Sequence, residues 1–174
     1  ICHYLHVGHA VFVTNSTKTG QARAKSLFLK PPYTVLFQAV FLPADQVGLI
    51  VDFYRKYQPK LLILVETELW PNLIDQAVEF KIPCILINAR LSEKSAIGYG
   101  KVRVLTTHML QGLNKLLAQD EATLTRYVAL GMMAQKMQVV GNIKFDIQAP
   151  TQFVQQAQQL KQDWALSGRK IVTL

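Results

Sequence analysis

The chain has 174 residues, half of them apolar and 17% charged. That is about one domain's worth on the usual scale of roughly 100–200 residues, with enough apolar content for a core, and it excludes intrinsic disorder; nine Gly and seven Pro without period exclude a collagen-like chain. Nineteen Lys and Arg against eleven Asp and Glu leave a net charge of +8, which points to an anionic partner such as nucleic acid, acidic lipid or a phosphorylated substrate.

The only cysteines, Cys2 and Cys84, do not make a disulfide framework, and a reducing compartment is expected. No apolar run approaches the ~18 residues of a membrane-spanning helix, and no signal peptide is recognisable. The chain starts at Ile1 and stops within the strand-like Ile171-Val172-Thr173-Leu174, so a fragment of a longer protein is expected.

In chain order, Ala10–Thr14 reads as a strand and Gly20–Leu29 as a helix stopped by Pro31-Pro32. Val35–Phe41 has strand composition. Asp45–Tyr57 is helical, with Val47, Ile50, Val51 and Tyr54 at helical spacing and Asp45 as its cap. Leu61–Val65 is wholly apolar and suits a parallel strand buried on both faces. Pro71–Lys81 is helical, Cys84–Ile87 a strand, Val102–Leu117 mostly helical, and Leu116–Gln119 a short strand. Glu121–Leu130 forms a helix ended by Gly131, and Met137–Val140 a strand. Thr151–Trp164 is a Gln-rich helix, and a last strand begins at Arg169. This alternation predicts an α/β fold with a Rossmann-like parallel sheet and helices on both faces.

Ligands of such sheets bind beyond the carboxyl ends of the strands. Four loops therefore belong on one rim: Thr14–Gly20, Glu66–Asn72, Asn88–Ser95 and Gly141–Asp146. Glu66 and Lys144 on opposite edges of the sheet would overturn both the fold reading and the site reading. The first loop fails the phosphate-loop pattern, because Thr14 holds its first position and Gln21 follows Gly20. It still puts Gly20 at a helix start, where free N–H groups favour an anion, beside the plainer reading of capping by Thr17 or Thr19. Glu66 and Glu68 are paired carboxylates suited to acid–base work if their pKa values are split, or to helix capping and ion pairing. Arg90, Lys94, Lys101 and Arg103 form either a phosphate patch or a solvated basic face. His3, His6 and His9 have ligand-like spacing, but Gly8 interrupts the helix, and no metal site is expected. The aromatic residues are too dispersed for a nucleic-acid stacking platform.

The stretch Glu66-Thr67-Glu68-Leu69-Trp70-Pro71-Asn72 resembles the 3-deoxy-D-manno-octulosonic acid (Kdo) transferases of lipopolysaccharide synthesis. So do Asn88-Ala89-Arg90-Leu91-Ser92 with Ser95, Gly98 and Tyr99, Leu130-Gly131 followed by Val140–Asp146, and Thr14–Gly20. The resemblance runs over nearly the whole chain from about Val11 onward. It implies the N-terminal half of a two-domain GT-B glycosyltransferase: residues 1–150 as the acceptor-side domain, and 151–174 as a connector helix and the first strand of the nucleotide-sugar domain. It implies transfer of Kdo from CMP-Kdo to the lipid A precursor (lipid IVA), inverting and without metal or cofactor, at the cytoplasmic face of the inner membrane. Glu66 and Lys144 align with residues that stabilise the transition state, and Thr19, Gly20, Glu68, Asn88, Arg90, Ser92 and Asn142 with a substrate-binding set. The family's Thr-Pro-Thr-Gly is Thr17-Lys18-Thr19-Gly20 here, and its general-base Gly-Glu motif has no counterpart, since Gly8 is followed by His9. The fragment alone is therefore expected to be inactive. A non-catalytic Rossmann-like domain that binds a phosphorylated ligand is the alternative from another class.

Overall fold

A computed structural model of the chain describes residues 1–146 and 151–164. Strands and helices alternate as β1 (Val11–Asn15), α2 (Lys18–Phe28), β2 (Phe37–Phe41), α3 (Val47–Tyr57), β3 (Leu62–Val65), α4 (Pro71–Glu79) and β4 (Cys84–Ala89). There follow α5 (Glu93–Lys101), α6 (Arg103–Gln111), β5 (Lys115–Ala118), α7 (Glu121–Ala129) and β6 (Met137–Val139). A short helix α1 (Cys2–His6) precedes β1, and α8 (Thr151–Asp163) forms where the Gln-rich helix is expected. The strand expected from Arg169 lies outside the described residues.

Every strand pairing is parallel, and helices flank the strands on both sides, as expected for an α/β fold. The strands do not form one hydrogen-bonded sheet, however. Among the described residues β1 pairs only with β2, while β3, β4, β5 and β6 form a four-stranded sheet in chain order. This corrects the reading of Leu61–Val65 as buried on both faces. β3 is an edge strand: Leu64 is buried at 5% exposure, but Ile63 and Val65 stand 38% and 46% exposed. The more buried strand is β4, which lies between two strands, buries Cys84 and Leu86 completely on one face and leaves Ile85 and Ile87 half-buried on the other.

The expected helix over Val102–Leu117 is also corrected. Within it only Arg103–Gln111 (α6) is helical, β5 already begins at Lys115, and the separate helix α5 ends just before Val102. The main core lies between the four-stranded sheet and helices α3, α4, α6 and α7, with Ile50, Tyr54, Ile74, Leu110 and Tyr127 among its buried side chains. A smaller core of Leu5, Ala24 and Phe37 serves the β1–β2 unit. The two meet where Phe12 of β1 packs on Tyr57 of α3, with ring centroids 4.9 Å apart.

Asp45 does not cap α3. The position before that helix is Gln46, which makes no capping bond. The Asp45 carboxylate instead accepts the N–H groups of Asn72 (3.1 Å) and Leu73 (2.9 Å), and the Asn72 amide donates to the Asp45 carbonyl at 2.7 Å. An anionic acceptor in the first turn satisfies donors that have no intrahelical partner and complements the helix dipole. The loop leaving β2 is thereby stapled to the start of α4. Tyr54 adds a second tie, donating from its buried hydroxyl to the Leu73 carbonyl at 2.8 Å.

Two outcomes are expected. Asp45→Ala lowers unfolding free energy by about 1 to 2 kcal/mol in urea titrations, the scale for losing a helix cap, and Asp45→Asn, which keeps one acceptor oxygen, loses less. Burial pushes the Cys84 thiol up to about 12, whereas Cys2 is exposed. A thiol reagent at pH 8 should therefore titrate Cys2 alone in the folded protein and both cysteines after denaturation.

Candidate functional site

Because the strands are parallel, the loops that follow β3, β4, β5 and β6 emerge at one rim of the four-stranded sheet. The loops after β1 and β2 meet α4 beside it. Ser16, Leu42, Pro43, Asp45, Trp70 and Leu73 line a cavity there.

Glu66 follows β3 and Lys144 follows β6, which are the outer strands of the four-stranded sheet. At about 4.8 Å per strand, their origins are separated by three spacings. That placement is the one expected to overturn the shared site; the parallel α/β fold stands, and the two residues leave the same, carboxyl ends of their strands. A set of amide contacts joins the ends of β4 and β5 to the loop after β6. Asn88 lies near the end of β4, where the β4–β5 register shifts between Leu86 and Ala89. Its φ is 50° and it is buried. Asn tolerates this left-handed conformation better than most residues. The Asn88 side-chain oxygen accepts the Ile143 N–H at 3.2 Å, and its carbonyl accepts from the Gln119 amide at 3.0 Å. The Gln119 side-chain oxygen accepts from the Asn142 amide at 3.0 Å, and the Asn142 side-chain oxygen accepts the Lys144 N–H at 3.0 Å. The turn at Ile143–Asp146 is thus drawn back over β5 to β4, next to the strand that carries Glu66.

Glu66 has φ 63°. A left-handed glutamate is disfavoured, and such strain clusters at functional positions. Its side chain is exposed and makes no hydrogen bond or ion pair among the described residues. Glu68 accepts from the Trp70 indole at 2.8 Å. It also lies near Tyr99, whose phenol is pushed up first by burial and then by the Glu68 carboxylate, so Tyr99 stays a neutral donor. The paired carboxylates therefore diverge: Glu68 is engaged and Glu66 is free among the described residues.

The remaining expected residues are less uniform. Gly20 lies in the first turn of α2, and the plainer reading, capping by Thr17, is the one observed. The helix begins at Lys18, and Thr17 caps it by accepting the Gly20 N–H at 3.1 Å, so that N–H is already used. A Cβ at Gly20 would stand 3.0 Å from the side-chain oxygens of Asn15 and Thr17, which explains the glycine by packing. Thr19 is exposed on the first turn. Ser92 caps α5 by accepting the Ser95 N–H at 3.1 Å. Arg90, Lys94, Lys101 and Arg103 are all exposed and form no ion pair among the described residues. His108 pairs with Asp75 at 3.0 Å.

Two participants were not anticipated. Gln119 links the ends of β4 and β6, and the only signal for it is an amide directly after a strand. Arg126 of α7 donates to the Leu91 carbonyl at 3.0 Å and braces the loop after β4 from behind.

The N-terminal family profile described as 3-deoxy-D-manno-octulosonic-acid transferase (kdotransferase) matches residues 3–147. A 3-deoxy-D-manno-octulosonic acid transferase of Haemophilus influenzae is 36% identical over 155 residues, covering 89% of this chain and 35% of that protein. The Bordetella pertussis enzyme of the same name is 31% identical over 172 residues, covering 98% of this chain and 39% of that protein. A bifunctional glycosyltransferase/methyltransferase of Fusobacterium nucleatum is 39% identical over 110 residues, covering 63% and 17%. The chain spans between a third and two fifths of the two transferases it matches along most of its length.

The amide relay generates a prediction. Asn88→Ala removes the acceptor for Ile143 and puts a Cβ-bearing residue without a local hydrogen bond at positive φ. It should cost about 1–3 kcal/mol, the range for a buried group left unsatisfied, and speed exchange of the Ile143 amide. Asn88→Gly should restore part of the stability, by relieving φ, but not the Ile143 protection. Unchanged exchange at Ile143 in both variants would remove Asn88 from the relay.

Proposed function

Because the chain belongs to the 3-deoxy-D-manno-octulosonic-acid transferase family, we propose that it forms the acceptor-side domain of a GT-B enzyme that transfers Kdo from CMP-Kdo to the lipid A precursor lipid IVA. Transfer inverts the anomeric carbon and uses no metal or cofactor. The protein works at the cytoplasmic face of the inner membrane; among the described residues no helix is long and apolar enough to cross a bilayer. The net charge of +8 suits an anionic surface and a phosphorylated acceptor.

The observation that carries this reading is Glu66: a left-handed, exposed glutamate with no partner among the described residues, at the carboxyl end of a parallel strand. A backbone conformation that costs folding energy and delivers a free carboxylate is explained by use of that carboxylate. As the bond to CMP breaks, positive character grows at the anomeric carbon and negative charge on the departing phosphate. Glu66 stabilises the first. Lys144, held by the relay through Asn142, stabilises the sugar carboxylate or the phosphate. Both act by being positioned before the reaction. Glu68, Asn88 and Asn142 orient this pair, Arg90 binds an acceptor phosphate through its planar fork, and Thr19, Gly20 and Ser92 border the acceptor. The catalytic base and the CMP-binding half come from outside these residues, so the 174-residue chain has no transferase activity alone.

In the full-length enzyme, Glu66→Gln and Lys144→Ala should each lower kcat by about 10²–10³, the scale for one preorganised electrostatic group. Melting temperature should barely change, because both side chains are exposed. Glu66→Asn separates use from fold: it should be at least as stable as the parent, since Asn accepts positive φ more readily, and still be impaired. Single-turnover rates and melting curves on the same preparations check this. Normal turnover in either Glu66 variant or in Lys144→Ala strikes that residue from the mechanism.

A further inference from the structure

The loop Glu66–Asn72 serves two places. Glu66 stands at the end of β3, and four residues later Trp70 lines the cavity beside the rim, with Ser16 and Asp45. The Thr67 carbonyl accepts the Leu69 N–H at 2.8 Å, so the loop is folded between them. Even fully extended, four residues span only about 14 Å. A ligand held at Trp70 is therefore within one ligand length of Glu66.

Trp70 is fixed in two ways. Its indole N–H donates to the Glu68 carboxylate at 2.8 Å, which sets the ring. Pro71 follows it and favours the extended backbone that Trp70 adopts, with φ −112° and ψ 115°. The residue is 39% exposed, so this fixed ring keeps an open surface. Ile50 and Leu73, both buried core side chains, supply apolar wall. The polar wall is the exposed Ser16 and the Asp45 carboxylate. A carboxylate offers about four acceptor positions. The N–H groups of Asn72 and Leu73 take two, and the Asn72 amide makes a longer contact at 3.5 Å. Acceptor capacity is left for a ligand hydroxyl.

The cavity holds about 210 Å³, below the range of roughly 300–1,000 Å³ that takes a drug-sized ligand. It suits a single ring. An acyl chain would bury the carboxylate and the hydroxyl without partners, which is costly. A phosphate or an acidic sugar would face Asp45, the one ionisable side chain of the wall among the described residues. A neutral pyranose satisfies every surface. Its C–H face stacks on an aromatic ring, positive hydrogens against the negative π face, while its hydroxyls donate to Asp45 and accept from Ser16.

We propose that this cavity binds one neutral pyranose ring, stacked on Trp70 and hydrogen-bonded by Asp45 and Ser16. The identity of the ligand rests on the transferase reading: the ring belongs to the acceptor, and Trp70 sets the acceptor's register against Glu66. The class of ring rests on the cavity alone.

Saturation-transfer NMR on the full-length enzyme tests it, with methyl N-acetylglucosaminide as the neutral ring, free Kdo as the acidic sugar and octanoate as the acyl chain. The glycoside should bind the parent, and Trp70→Leu should weaken it about threefold to tenfold, the equivalent of one aromatic contact. Trp70→Phe, which keeps a π face, should retain more of the affinity. Ser16→Leu, which crowds the cavity and leaves the indole in place, should weaken it too. Neither Kdo nor octanoate should respond to these substitutions. With lipid IVA as acceptor, Trp70→Leu should raise the acceptor KM by a similar factor and leave the KM for CMP-Kdo unchanged. Glycoside binding that is undetectable in the parent, or equal in the parent and Trp70→Leu, would overturn the proposal. So would a Trp70-dependent response of octanoate or of Kdo, which would assign the cavity to an acyl chain or to the donor sugar. If Kdo transfer is normal while glycoside binding ignores Trp70, the ring site fails and the transferase reading stands. If no Kdo is transferred, that reading fails, and the glycoside titrations still decide the cavity.

Discussion

The rim depends on one peptide unit, that of Asn88. By taking a left-handed conformation near the end of β4, it shifts the β4–β5 register and turns both its carbonyl and its side-chain oxygen toward neighbouring loops. A regular strand there would direct the carbonyl into the ladder and leave the loop after β6 with no anchor. The cost is a disfavoured backbone, moderated by the choice of Asn. The return is geometric: three loops from three strands hold one arrangement, and their charged side chains project from a stiff base.

The rim also separates two kinds of polarity. The amides of Asn88, Gln119 and Asn142 are partly or wholly buried and bonded to one another or to backbone. The charges of Glu66, Arg90 and Lys144 stand outside, in water. A buried neutral network can be rigid at modest desolvation cost, whereas buried ions would demand mutual pairing. Exposed, unpaired charges stay available to a ligand. The same division explains why Glu66 and Glu68, two residues apart, differ in state: Glu68 is engaged by Trp70 and faces Tyr99, while Glu66 is turned away by its own backbone.

Much of this was legible in the sequence. Periodicity and the punctuation by Pro and Gly place every strand from Val11 to Val139 within a few residues. The motif around Glu66–Asn72 pointed to the family to which the chain belongs. What escaped was relational. Leu61–Val65 looks like a central strand because composition records apolarity, and an edge strand with one half-open face can be equally apolar. Asp45 looks like the cap of the helix that follows it, but its carboxylate serves a helix that begins 26 residues later in the chain, and no local pattern encodes that distance. Gly20 looks like an anion site, yet its N–H is taken by Thr17 and its missing Cβ makes room for Asn15. Gln119 carries no motif at all; its role exists only once β4 and β6 flank β5.

The staple between Asp45 and Asn72 has a consequence for inheritance. The acid serves two N–H groups of α4, and the amide answers with a bond to the Asp45 carbonyl, so each residue's value is conditional on the other. Loss of the acid leaves the Asn72 and Leu73 donors open; loss of the amide leaves the loop after β2 held from one side only. Because that loop lines the cavity with Ser16 and Trp70, drift at either position would alter the shape of the cavity mouth. Descendants of this sequence should therefore keep the two residues together or exchange them together, although they stand on different elements and belong to motifs that read as unrelated.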